Sequence, residues 1–203
     1  MSKTICTTVY TFDELSEEAK KKARGWFKNG GFDYDWYDSV YDDAKTIGKL
    51  MGIDINKIYF SEFYSQGDGA CFEGSYRYAK GSAKAVREYA PTDKELHRIA
   101  SELAKLQRKF FYRISGSVKQ SGHYSHSRCT QIILENADAQ GYGDSLPAKI
   151  DDAVSELLRD FMDWIYKMLR TEWEYLNSDE QVDETIRINE YNFTENGSRC
   201  AIL

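Results

Sequence analysis

Apolar residues recur along this chain with two different periods, and those periods divide it into helices and strands. Trp36, Val40, Ala44, Ile47 and Met51 follow one another at steps of three and four, which predicts a helix from about Tyr34 to Met51, stopped by Gly52. Leu96, Ile99, Ala100, Leu103 and Leu106 form a second stripe over residues 93–109. The run Pro91-Thr92-Asp93-Lys94-Glu95 opens it as a capping box. Ile150, Val154, Leu157, Phe161, Trp164, Ile165 and Met168 mark the inner face of the longest helix, from Ile150 to about Leu176. Between these stretches the period falls to two. Lys57–Ala79 reads as a β-hairpin whose tip is Gln66-Gly67-Asp68-Gly69. Its return strand places Ala70, Phe72, Gly74, Tyr76 and Tyr78 on one face. Phe110–Val118 and Arg128–Glu135 read as a second hairpin around the polar loop Lys119–Ser127, with Tyr112, Ile114, Gly116 and Val118 sharing a face.

The flanks are simpler. Ile5–Phe12 reads as a short strand. Ser16-Glu17-Glu18 starts a helix that ends at Asn29-Gly30-Gly31, with acids in its first half and lysines later, as the helix dipole favours. Asn136–Leu146 reads as a loop. Ser178-Asp179-Glu180-Gln181 caps a short helix holding Val182 and Ile186. Asn196-Gly197 is a turn signal between Glu190–Thr194 and Ser198–Ile202, which form a small hairpin or a strand of the main sheet. Helices and hairpins alternate without strict βαβ order. The expected fold class is therefore α+β: a mainly antiparallel sheet built from two central β-hairpins, with helices packed on one face.

At 203 residues and 41% hydrophobic content, one domain spanning 1–203 is expected, with a real core. No apolar run approaches the ~18 residues of a membrane span, and the N-terminus shows no secretory h-region. A soluble, cytoplasmic protein without membrane contact is expected. Cys6, Cys71, Cys129 and Cys200 are too widely spaced for a zinc ribbon or a thioredoxin motif, so reduced thiols are expected.

The net charge of −6 hides a strong segregation. Residues 77–128 hold twelve basic and four acidic side chains, net +8. Residues 1–76 carry −4 and residues 129–203 carry −10. Either the acidic ends neutralise the basic middle, or two surfaces of opposite sign face partners.

Candidate chemistry is scattered. Gln66, Gly67, Asp68 and Gly69 form a glycine-rich turn that could aim backbone N–H groups at a ligand, or simply close the hairpin; no Lys-Ser/Thr follows as in a phosphate-binding loop. His123, His126 and Cys129 sit at steps of three, which in a strand point to opposite faces, so no metal and no cofactor are expected. Nor do they suggest a catalytic set, although an enzyme built on Asp68, Glu73, His123 and His126 is one reading. Arg77, Lys80, Lys84 and Arg87 are interleaved with Tyr76, Tyr78 and Tyr89. A helix over 80–89 would put Lys80, Lys84 and Arg87 on one face, a possible nucleic-acid patch or a solvated helix face. Residues 33–43 hold five aspartates and no base. On a helix Asp35, Asp38 and Asp42 form a ridge with Asp43 beside it, to be paired internally or offered to a partner. Cys200-Ala201-Ile202-Leu203 has the form of a prenylation signal, but no polybasic stretch precedes it, and a strand end is expected instead.

Two stretches, Phe60–Gly74 (FSEFYSQGDGACFEG) and Leu158-Arg159-Asp160-Phe161 continuing to Glu174-Tyr175-Leu176, resemble a family of small accessory proteins of bacteriophages and prophages, some labelled antitoxin-like. The resemblance spans most of the chain and brings no catalytic residues. It implies a phage accessory protein in the bacterial cytoplasm: a non-enzymatic inhibitor that binds a host defence protein or ribonucleoprotein complex, in the anti-CRISPR, anti-restriction or antitoxin manner. On this reading Asp35, Asp38, Asp42 and Asp43 are its contact surface. The alternative is a nucleic-acid or nucleotide-binding protein using Arg77, Lys80, Lys84 and Arg87.

Overall fold

The computed structural model describes residues 8–30, 32, 34–137 and 143–200. These form two compact units, one of residues 37–170 and one of residues 1–36 with 171–203. Asp33, residues 5–7 of the expected Ile5–Phe12 strand (Cys6 among them), residues 138–142 of the expected Asn136–Leu146 loop and the last three residues lie outside the described residues.

The larger unit is α+β. Helix α2 (Asp38–Met51) leads into β1 (Ile53–Phe60), which pairs antiparallel with β2 (Ala70–Arg77). Helices α3 (Ser82–Tyr89) and α4 (Lys94–Lys109) follow. Then come β3 (Ile114–Gln120), β4 (Thr130–Ala137) and the three-residue β5 (Gly143–Ser145). All five strands form one antiparallel sheet in chain order. The expected class and the two central hairpins are those observed. Several boundaries differ, and β4 runs from Thr130 to Ala137 instead of Arg128 to Glu135. The first hairpin starts at Ile53, because Gly52 adopts a left-handed conformation (φ +86°) that ends α2 and feeds β1 directly. The second starts at Ile114, not Phe110. The loop after β4 includes β5.

The sheet is two-faced, as its alternation demands. Ala70, Phe72, Gly74 and Tyr76 of β2 are buried, while Ser75 and Arg77 face solvent. The covering helix is α5 (Ala148–Leu176). Within the larger unit it buries Val154, Leu157, Leu158, Phe161, Met162, Trp164, Ile165 and Leu169, with the Phe161 ring edge-on to Phe72 at 6.1 Å. Ile150 and Met168, expected inward, are only half-buried. Asp93 ties α4 to α5. One carboxylate oxygen caps α4 by accepting from Leu96 N–H (3.0 Å), and the other accepts from Trp164 Nε1–H (2.8 Å). Arg98 adds ion pairs to Glu95 and Asp160, both at 2.6 Å.

In the smaller unit, α1 (Glu17–Gly30) and α6 (Asp179–Ile188) enclose Phe12, Leu15, Ala19, Ala23, Val182, Ile186 and Phe193. Arg24 grips Asp183 through two hydrogen bonds, 2.6 and 2.7 Å. The expected terminal hairpin is present as β6 (Asn192–Phe193) and β7 (Arg199–Cys200), separate from the main sheet. Within the Ile5–Phe12 segment, Tyr10 makes a single bridge to Phe193, and Phe12 opens a short 3-10 turn.

Candidate functional site

Antiparallel order gives the large sheet two ends with different chemistry. At one end the loops 61–69 and 121–129 meet. A Cβ on Gly69 would lie 2.4 Å from the Cβ of His126, so only glycine lets the two loops touch there. Asp68 is occupied locally, accepting from Ser65 N–H at 2.6 Å. Gln66 is exposed, and a Cβ on Gly67 would sit 3.8 Å from the Tyr124 ring. The glycines thus serve the turn and the loop packing. His126 Nδ1 accepts from Arg128 N–H (3.1 Å), so the neutral ring carries its proton on Nε2, 3.4 Å from Cys129 Sγ. His123 is exposed, its ring beside Tyr124. Among the described residues no three metal-ligating side chains converge. Cys71 is buried, and burial, then the neighbouring Cys129 and Glu73, pushes its thiol up to about 11. Glu73 accepts from Tyr59 O–H (3.0 Å) and Gln120 N–H (3.3 Å). Beside this end, a groove of about 460 Å³ runs along β1 between Tyr37, Tyr41, Lys45, Lys57, Tyr59 and Ser125. Two of its polar groups have partners: Tyr41 O–H reaches Ile58 C=O (3.5 Å), and Lys57 lies over the Tyr59 ring.

The opposite end is open and basic. Arg77 ends β2 on the solvent face. Lys80 precedes α3, because the helix starts at Ser82 after a left-handed Gly81. Only Lys84 and Arg87 therefore share a helical face, in place of the three bases expected. Lys84 meets Glu88 at 3.5 Å and Arg87 donates to Ser101 Oγ at 3.0 Å.

Sequence reasoning placed residues 110–113 in a strand, and so missed what they contribute here. They close α4 instead. Tyr112 N–H donates to Gln107 C=O (2.7 Å) and Phe111 N–H to Arg108 C=O (3.4 Å), the paired bonds of a Schellman motif. Glycine is the usual residue at the left-handed position of this motif. Here Phe111 occupies it at φ 53°, followed by Tyr112 at φ 63°. Each costs about 1–2 kcal/mol for an L-residue. The buried Gln107 side chain holds the turn, donating to Ile114 C=O (2.6 Å) and accepting from Ile114 N–H (3.2 Å). Phe111 is 80% exposed. Tyr112 packs on Tyr78 with ring centroids 4.4 Å apart, which joins this turn to the segment carrying Arg77 and Lys80. Arg108, Lys109 and Arg113 are exposed around it, and no carboxylate pairs with them among the described residues. The signal was present in the sequence: Arg108-Lys109-Phe110-Phe111-Tyr112-Arg113 is the same basic–aromatic mixture as residues 76–89.

The acidic ridge is shorter than expected. Helix α2 begins at Asp38, with Tyr37 as its cap, because the aromatic residues before it form a turn. Trp36 packs on Trp173, while Tyr37 packs on Tyr41 and Phe60. Asp35 is therefore exposed ahead of the helix. Asp38 and Asp42 are exposed on α2, with Lys45 4.0 Å from Asp42. Asp43 accepts from Tyr89 O–H at 2.6 Å, which raises the Tyr89 pKa and ties α2 to α3.

Residues 36–179 match the model of a protein family described as a domain of unknown function, DUF8835, and the chain belongs to that family. The matched stretch takes in the whole five-stranded sheet and both of its ends. No curated protein and no solved structure matches the chain. No helix among the described residues is long and apolar enough to cross a membrane.

Proposed function

We propose that this protein acts by binding nucleic acid through the basic–aromatic end of its large sheet. The observation that carries the reading is the meeting of Arg77 and Lys80 with the 108–113 turn through the Tyr78–Tyr112 ring pair. Cations without acidic partners neutralise phosphates, and exposed rings offer faces to bases. An overall pI near 5.2 is compatible with this, because the binding charge is local. The test is fluorescence anisotropy of a labelled oligonucleotide across a salt series. Affinity should fall linearly on a log–log plot. Replacing Arg77 and Lys80 by Glu should weaken binding at least tenfold and flatten the slope, while Asp38→Asn and Asp42→Asn leave it unchanged. Absence of binding at low salt would refute the reading.

A second reading keeps the phage-inhibitor role, with a host defence protein or nucleoprotein complex as target. Its support is the resemblance together with the exposed carboxylates of Asp35, Asp38 and Asp42. Neutralising all three to Asn separates the readings. Capture of a host complex that survives nuclease treatment and is lost in the triple variant favours inhibition. Capture that nuclease abolishes favours the nucleic-acid reading.

A further inference from the structure

We infer that the nucleic acid bound at this end is single-stranded, and that Phe111 is the residue on which an unpaired base stacks. The inference rests on the nucleic-acid reading above and narrows it.

The geometry of the α4–β3 turn is the starting point. A phenylalanine sits where the helix-closing motif favours glycine, and the ring is 80% exposed. Packing inside the chain therefore returns little for the unfavourable backbone. The turn is nevertheless held rigidly from below, since Gln107 satisfies both backbone groups of Ile114 from a buried position. A ring presented outward on a braced turn loses little freedom when something flat lands on it. Arg108, Lys109 and Arg113, within three positions of Phe111 in the chain, are exposed and have no acidic partner among the described residues, so the flat group it receives belongs to an anionic chain.

A duplex supplies the phosphates but hides its base faces in the stack. A single strand supplies both, and stacking on an aromatic side chain tolerates any base. Tyr112, already engaged by Tyr78, braces the turn and leaves Phe111 as the free platform.

The experiment compares one labelled oligothymidine strand, alone and annealed to its complement, on the full-length protein and two variants. The wild-type protein should bind the single strand about tenfold more tightly than the duplex at equal salt. Phe111→Gly should remove most of that preference, lowering single-strand affinity about tenfold with the salt slope unchanged, because no charge is altered. Phe111→Trp should keep or strengthen it, which guards against a trivial backbone effect of glycine. Lys109→Glu should weaken both forms and flatten the slope. Equal affinity for strand and duplex, with no effect of Phe111→Gly while Lys109→Glu still weakens both, would overturn the single-strand inference and leave the nucleic-acid reading standing. Binding to neither form would overturn the two together.

Discussion

The two ends of the large sheet are built from the same strands and use their polar and aromatic groups in opposite ways. At the loop end the groups of chemical interest are committed inside the protein, while Gln66, His123 and Tyr124 are exposed. Asp68 holds its own turn, Glu73 accepts from Tyr59 and Gln120, and His126 is fixed between Arg128 N–H and Cys129. At the α4–β3 end the backbone carries two left-handed aromatic residues, and Arg108, Lys109 and Arg113 have no paired carboxylate among the described residues. The first end resembles a site in composition, with its histidines, cysteines and glycines, yet its geometry is that of a structural joint. The second has no histidine, cysteine or glycine-rich turn among the residues described for it, yet it holds the backbone strain and the uncommitted cations. Strain that the interior does not repay points to a function at the surface.

That contrast can be broken in stages. The largest effect should come from the core under both ends. Phe161→Ala should cost about 3–5 kcal/mol in urea unfolding, because the fully buried ring packs on Phe72 in the middle of β2. A cost near zero would mean that α5 does not anchor the sheet. Next is Gly69→Ala. Its new methyl would meet His126 at Cβ and backbone, so the loops must part, at about 1–3 kcal/mol. If this change is neutral, the loop end is not closed as described. At the other end, Gln107→Ala should cost about 1–3 kcal/mol by leaving the two backbone groups of Ile114 unpaired in a buried place. Hydrogen exchange should show faster opening at Ile114 than at Thr130 in that variant.

Two smaller effects have informative signs. Phe111→Gly should raise stability by about 1 kcal/mol, since glycine accepts the left-handed conformation without the side-chain clash. A loss of stability there would show that the ring packs and is no free platform. The smallest effect is at the rim of the loop end. Arg128 pairs with Glu156 at 2.6 Å, and its hydrogen bond holds the Glu156 carboxyl below the usual range. A lowered folded pKa means that the contribution is present above the ordinary carboxylate pKa of about 4.3 and is lost as pH falls. Both side chains are largely exposed, so Glu156→Gln should change stability by less than about 0.5 kcal/mol at pH 7. A larger effect at neutral pH would mean that this pair pins the 121–129 loop.

The periodic elements were readable from residues alone, because burial on one face repeats with the period of the backbone. The stripes on α4 and α5, the alternation of β2, the Asn196-Gly197 hairpin and the α+β class all followed from that. What the spacing left undecided lies at the ends of elements, where local preference competes with long-range packing. Phe110 to Arg113 continue a plausible alternation into Ile114. Only the buried Gln107, reaching across to β3, turns them into a strained helix closure. Asp35 reads as helical until the aromatic side chains before Asp38 dock on Trp173, Tyr41 and Phe60 and end the helix early. Likewise the residues that bring Arg77 and Lys80 beside Arg108 and Arg113 are some thirty positions apart in the chain, joined by strand pairing and by the Tyr78–Tyr112 contact. Period and composition determined which segments become helix or strand and which are basic. Which of those basic segments share one surface is a non-local property, and only the folded sheet decided it.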